Sequence, residues 1–180
     1  MRKLKIDLHT HILEASNFSK PSPEIAEKVV KQMRERGLDG IALTEHWNVE
    51  HGWKLKEIIE DLYGDEFVVL VGQELDISTT QQVTEIYLPN DVTYRYLCHP
   101  GYPGNDWSVP QNLHGIEIEN GMHSWHMNRP RIQALAEEHN LMLLKNSDAH
   151  YLEKIGVYHN ELAIEELVAR VTGEPLPVAG

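Results

Sequence analysis

The sequence predicts an α/β protein whose strands are mostly parallel and curl into a closed or nearly closed barrel. Three observations carry that prediction. Short apolar runs with strand character alternate with segments of helical periodicity, the pattern of a parallel sheet with helices on its outside. At least five of those runs end in His, Asp or Glu, where (β/α) barrels and open α/β sheets place their sites. The polar clusters are spread from residue 9 to residue 150, so they meet only if the strand ends share one mouth.

The first strand carries Leu4, Ile6 and Leu8 at a period of two and ends in Asp7-Leu8-His9-Thr10-His11. His9 and His11 project on one side of it, and two adjacent imidazoles are half of a metal site. Residues 12–20 read as a loop. Ser22 then offers an N-cap and Pro23 a first helical position. Ile25, Val29, Val30 and Met33 form one apolar face, and Gly37 stops the helix. Gly40 to His46 is an apolar run ending in Thr44-Glu45-His46. Residues 51–63 read as a helix, and Phe67 to Val71 as a strand buried on both faces and followed by Gly72-Gln73-Glu74.

The alternation continues. Val83 to Leu88 and Tyr94 to Cys98 read as strands, the second leading into His99-Pro100. Residues 101–112 are loop. Gly115 to Asn120 alternates, residues 128–139 are helical, and Leu141 to Leu144 is an apolar run ending in Lys145-Asn146-Ser147-Asp148-Ala149-His150. A short strand over Glu161–Ile164 and a helix over 165–172 complete a single domain spanning 1–180. Its Pro- and Gly-containing tail, 174–180, is expected to fray.

Composition narrows the function. A formal charge of −12 argues against nonspecific binding to a nucleic-acid backbone or an anionic lipid surface. No apolar run is long enough for a membrane span, and no secretory leader is expected. The single cysteine, Cys98, excludes an internal disulfide and fits a cytoplasmic setting. Cys98 precedes His99 on a strand, so its side chain is expected to face away from it, in a structural role. Eleven histidines are many for 180 residues. Taken singly, each fits a structural histidine, and Glu74 and Asp148 fit helix caps. Jointly, imidazoles and carboxylates at successive strand ends need a cation to offset desolvation and repulsion.

The motifs Asp7-x-His9-x-His11, Thr44-Glu45-His46, Glu74, His99-Pro100, Glu117 and Ser147-Asp148-Ala149-His150 occur in an order that resembles the PHP (polymerase and histidinol phosphatase) domain family. The resemblance covers residues 4 to 170. It implies a distorted seven-stranded (β/α) barrel with outer helices and up to three divalent metals at its C-terminal mouth. It also implies hydrolysis of phosphate esters. By resemblance, His9, His11, Glu74 and Asp148 hold the first metal. Glu74 bridges to a second that also takes His99, His46 and His150 help hold a third, and Glu117 is a further ligand. Asp7, Glu45 and Asn120 support from behind.

The chain departs from the family pattern in four places. Glu45 stands where Asp is common, and Tyr87 aligns with a histidine that often completes the second site. The acidic or histidine residue that commonly follows the first motif has no clear equivalent, with Glu14, Ser16 and Asn17 nearby. The stretch from Glu74 to His99 is short. The first site is thus expected to be intact, the second weakened and the third least secure. The cofactor is one to three Zn, Mn or Fe ions per chain.

The expected activity is a metal-dependent phosphoesterase on a small phosphorylated molecule, with Asp148 or His150 moving protons. Arg129, Arg131, Lys145 and Tyr87 are candidate substrate contacts, with Lys20 and Arg95 as further cations. Trp47, Trp107, Trp125, His123 and His126 either line a pocket or anchor loops. Scarce basic residues leave two competing readings. One is hydrolysis of an amide or ester by the same activated water, and the other is a metal-binding domain without turnover.

Overall fold

A computed structural model describes residues 1–176. Its strands are β1 (Leu4–Asp7), β2 (Gly40–Leu43), β3 (Val68–Asp76), β4 (Gln82–Leu88), β5 (Val92–Leu97), β6 (Gly115–Asn120), β7 (Met142–Asn146) and β8 (Asn160–Leu162). Helices α1 (Ile12–Ala15), α2 (Pro23–Arg36), α3 (Val49–Tyr63), α4 (Arg129–Glu138) and α5 (Ile164–Thr172) lie between or after them. The strands form one sheet in the order β7-β6-β5-β4-β3-β2-β1-β8. This is a nearly closed, mixed barrel of eight strands rather than seven.

The pairs β1–β2, β2–β3, β5–β6 and β6–β7 are parallel. The pairs β3–β4, β4–β5 and β1–β8 are antiparallel. The short interval from Glu74 to His99 explains the meander. A parallel crossover needs a dozen or more residues, whereas β3, β4 and β5 are joined by turns. That pairing also carries β3 past the expected end at Val71 to Asp76, so Glu74 lies within the strand. The loop expected over 12–20 contains the short helix α1, while α2, α3, α4 and α5 fall close to their expected ranges. Ser22 accepts from the Ile25 amide and Gly37 closes α2 at φ 66°, as the sequence indicates. Of the tail expected to fray, 174–176 carry no regular structure. Residues 177–180 lie outside the described residues.

Period-two alternation sorts the core into an inside and two outer faces. Ile6, Ala42, Leu70, Ile86, Tyr94, Tyr96 and Leu144 fill the barrel, and α5 packs against that cluster through Leu167. Ile41, Leu43 and Val69 face outward to α2 and α3, and Val83, Leu97 and Ile116 to α4. Gly115 leaves room for the Tyr94 hydroxyl, which a Cβ there would strike.

Closure depends on side chains. Asn160 on β8 donates to the carbonyl of Lys145 at 3.0 Å and to Asn146 Oδ1 at 2.8 Å. It accepts from the Lys145 amide at 2.9 Å. Higher up, Thr10 bridges Ala149 directly. Asp7 accepts from the amides of Ser147 at 3.1 Å and Gly156 at 2.9 Å. Burial pushes its carboxyl up to about 6, against these donors, which pull it down.

Asn160→Ala removes the bonds that join β8 to β7 and leaves backbone groups of Lys145 without partners. The expected loss is about 1–3 kcal/mol, read as a lower urea midpoint at an unchanged slope.

Candidate metal centre

The inward register of β3 runs Leu70, Gly72, Glu74, so the carboxylate stands at the upper rim of the barrel. Its Oε1 lies 2.9 Å from His99 Nε2 and 3.5 Å from His9 Nε2. Its Oε2 lies 3.3 Å from His11 Nε2 and 3.0 Å from His46 Nδ1. Asp148 faces it from the end of β7, on a backbone turned to φ 52°. Asp148 Oδ1 is 3.1 Å from His11 Nε2 and 3.5 Å from both His9 Nε2 and His150 Nδ1. Its Oδ2 is 3.6 Å from His123 Nε2 and accepts from Asn120 Nδ2 at 3.1 Å.

The donor set fits a cation. His9 Nε2 and His11 Nε2 face each other at 3.1 Å, an approach in which both cannot carry protons. The separations of these nitrogens from Glu74 and Asp148 fall between 3.1 and 3.5 Å. Bonds of about 2.0–2.1 Å in a tetrahedral site give ligand edges of about 3.3 Å. Asp148 Oδ1, His11 Nδ1 and His99 Nδ1 are buried without hydrogen-bond partners, which is costly in the absence of a ligand. Among the described residues, three further groups adjoin His9, His11 and Glu74. These are Glu74 with Cys98 and His99, His99 with His123 and Asp148, and His11 with His46 and His150. A fourth group joins His11 to Glu14 and Glu45.

Electrostatics agree. Burial lowers the basicity of His9, but Asp148, Glu117 and Glu74 together raise it well above the ordinary value. His11 is likewise opposed by burial and raised by Asp148 and Glu74, to about 9. Burial pushes Glu74 and Asp148 up, yet the surrounding imidazoles hold both well below the usual carboxylate range. His123 is pushed down to about 4 by burial and by His99. The chain without metal therefore holds protons where a cation would supply the same positive charge.

Several expected positions need correction. Glu117 stands behind the donor set. Its Oε1 takes His9 Nδ1 and Asn146 Nδ2, both at 2.8 Å, and its Oε2 takes the His99 amide at 2.8 Å and Asn120 Nδ2 at 2.9 Å. Glu117, and not Asp7, fixes the ring of His9, because Asp7 reaches only the His9 amide at 3.4 Å. Asn120 Nδ2 donates to both Glu117 and Asp148. Glu45 accepts from the Leu13 amide at 3.0 Å and lies 3.2 Å from His51 Nδ1, while its Oε2 is buried without a partner.

Tyr87 is remote from the mouth. Thr84, not Tyr87, pairs with Glu74, so Tyr87 is three residues down β4 and on its outer face. There its ring stacks on Trp53 at 6.3 Å. A histidine from elsewhere approaches the second cluster: His123, in the loop after β6, has its ring 4.6 Å from that of His99. His123 thus joins His99 and Asp148 in a group that could hold an ion. Cys98 also departs from expectation. Strand alternation points it inward, and its thiol donates to Glu74 Oε1 at 3.1 Å. His99 then turns back into the same cluster on a backbone at φ 28°.

The expected cations stay away from the donors. Arg129 makes two bonds to Glu119 at 2.7 and 2.6 Å. Arg131 lies over the Trp107 ring at 4.6 Å. Arg95 pairs with Glu85 at 3.0 Å on the outside of β5. Lys145 faces outward into a cleft of about 540 Å³ that also includes Lys3, His159 and Glu166 and none of the donors. Lys20 lies beside His51 and Asn48 in a groove of about 420 Å³.

A mixed barrel with buried imidazoles and carboxylates at the C-terminal ends of its strands defines an α/β fold with a candidate metal site at its mouth. The PHP domain model matches residues 7–174, and the chain belongs to that family. Among solved structures the chain is similar to PsfC from Pseudomonas syringae, at 17% identity and a TM-score of 0.64, over 87% of this chain and 80% of that one. It is also similar to a "putative metal-dependent phosphoesterase" from Bifidobacterium adolescentis, at 13% identity and a TM-score of 0.64, over 94% of this chain and 98% of that one. No curated protein matches the chain. Among the described residues, no helix is long and apolar enough to cross a membrane.

Four outcomes follow from this geometry. His11 is raised above its ordinary 6.5 to about 9, so the stability that it contributes is complete below 6.5 and disappears as pH rises to about 9. Metal-free protein should therefore lose thermal stability across that window. Metal uptake at pH 7 should release protons, seen as calorimetric heats that scale with the buffer's ionisation enthalpy. In competition titrations with a chromogenic chelator, His123→Ala should weaken metal binding by about 10- to 100-fold. Tyr87→Phe should leave it unchanged.

Proposed function

We propose that the protein is a metal-dependent phosphoesterase that hydrolyses a small phosphorylated molecule. One observation carries the reading. Two buried carboxylates, Glu74 and Asp148, share their oxygens among His9, His11, His46, His99, His123 and His150. Membership of the PHP family and the likeness to the Bifidobacterium structure support it.

His9, His11, Glu74 and Asp148 would hold one divalent ion, of Zn, Mn or Fe. Glu74, His99 and His123 would hold a second, with Glu74 shared, and His46 and His150 would contribute to a third. Such ions supply Lewis-acid polarisation of phosphoryl oxygens and lower the pKa of water.

The chain's own groups prepare the rest. Glu117 accepts the Nδ1 proton of His9, which leaves Nε2 free as a ligand. Asn120 and Asn146 hold Glu117 in place, so the orientation of His9 depends on β6 and β7. His150 is partly exposed and donates from Nδ1 to the Asp148 carbonyl at 2.9 Å. Its Nε2 is thereby left as the nitrogen that would join His46 at the third ion. The Cys98 thiol, pushed up by burial and by Glu74, is held as a neutral donor and has no nucleophilic role.

A second reading, hydrolysis of an amide or ester, is favoured by the engagement of Arg129 and Arg131 elsewhere. A panel of phosphomonoesters, amides and esters, assayed with Mn and with Zn, separates the two. The proposal expects metal-dependent phosphate release that falls more than about 100-fold in His9→Ala and Asp148→Ala. Normal turnover in either variant refutes it, and activity confined to carbonyl substrates selects the second reading.

A further inference from the structure

The chain has a single thiol, and it lies inside the donor set. Alternation along β5 carries Tyr94, Tyr96 and Cys98 to the barrel interior. His99, at φ 28°, then turns back toward the same point. Two consecutive residues therefore face Glu74, which a regular strand does not allow. Cys98 Sγ is 3.1 Å and His99 Nε2 2.9 Å from Glu74 Oε1. All three residues are buried, and their donor atoms lie within 4.8 Å of one another.

Hydrogen bonds alone do not account for that convergence. His9 Nε2 also stands 3.5 Å from Glu74 Oε1, so three donors meet one oxygen with two lone pairs. A cation in their midst takes electron pairs from all of them. Tetrahedral bonds of about 2.3 Å to sulfur and about 2.1 Å to oxygen give a sulfur–oxygen edge of about 3.6 Å, close to the contact that Cys98 and Glu74 make. The Thr84 hydroxyl lies beside the sulfur and favours its anion. It is fully buried and, among the described residues, has no hydrogen-bond partner. Burial and the carboxylates of Glu74 and Glu117 push the thiol well up, so the sulfur keeps its proton until a cation binds. A coordinated thiol loses that proton outright.

We propose that Cys98 is a thiolate ligand of the ion that Glu74 and His99 hold, and that it decides which metals this site accepts. On binding, the S–H bond breaks, its proton leaves for solvent and a sulfur–metal bond forms. A thiolate beside imidazole and carboxylate donors favours Zn and Fe(II) over Mn and Mg, which suit oxygen donors. The inference goes beyond the phosphoesterase reading and holds whichever bond the protein hydrolyses.

Cobalt(II), loaded into protein stripped of other metals, is the probe. A thiolate ligand gives cobalt an intense near-ultraviolet charge-transfer band, distinct from the weaker visible bands that report bound cobalt. The expected result is that band in the wild-type chain and its loss in Cys98→Ser, with cobalt still bound. The chain has one cysteine, so the band has one possible source. In competition titrations the preference for Zn over Mn should fall about 10- to 100-fold in Cys98→Ser and in Cys98→Ala. Bound cobalt without the band in the wild-type chain overturns the proposal, requires no variant to fold and leaves the hydrolase reading standing. A band that survives Cys98→Ser, or an unchanged preference for Zn over Mn in both variants, overturns it as well. If no cobalt binds, the thiolate ligand and the metal-dependent reading fail together.

Discussion

Two carboxylates buried at the top of the barrel, Glu74 and Asp148, impose the constraint around which the mouth is built. Both are almost fully buried, and among the described residues neither arginine nor lysine pairs with them. Ionised carboxylates in that setting are costly unless positive charge lies within contact distance. The chain answers with imidazoles, which are neutral ligands when a cation is present and proton carriers when it is not. A proton held between His9 and His11 and a divalent ion are therefore alternative occupants of one electrostatic arrangement, and the donor separations suit the ion.

The rest of the fold holds those donors at that spacing. Inward alternation brings Glu74, Glu117 and Asn146 to one level of the barrel. Left-handed backbone at His99 and Asp148 then turns two more side chains into the cluster where the strands stop. Neither residue is glycine, and such conformations persist when side-chain interactions over-determine them. His99 has its amide on Glu117 and its ring on Glu74, and Asp148 is held by Asn120. The bonds from Asn160 to β7 continue this network through Asn146 to Glu117 and His9. Barrel closure and ligand orientation are thus parts of one hydrogen-bonded structure.

Most of this was legible in the sequence because strand ends and metal-ligand residue types coincide there. His9, His11, Glu74, His99 and Asp148 follow apolar runs, and their convergence needs only a barrel. What could not be read arose where the chain leaves regular structure. His123 lies three residues past β6 in a loop, with no periodicity to place it, and Tyr87 drew the assignment because it sits on a clean strand. Cys98 was expected to oppose His99 by alternation, which fails once the backbone at His99 turns left-handed. Glu117 has a ligand's residue type, but its neighbours Asn120 and Asn146 claim its oxygens, a relation invisible without the β6–β7 register. The count of seven came from the family resemblance, whereas the short strand expected over Glu161–Ile164 is present as β8, Asn160–Leu162.

The central claim is that Glu74 and Asp148 gather histidines in order to share metal ions between adjoining sites. Elemental analysis of metal per chain tests it most directly, on protein purified without chelator or nickel affinity and again after Mn and Zn are added back and excess is removed. Two or more ions per chain are predicted, with Glu74→Gln reducing the count. No bound ion after add-back, or a single ion whose count is indifferent to both Glu74 and His123, contradicts the account.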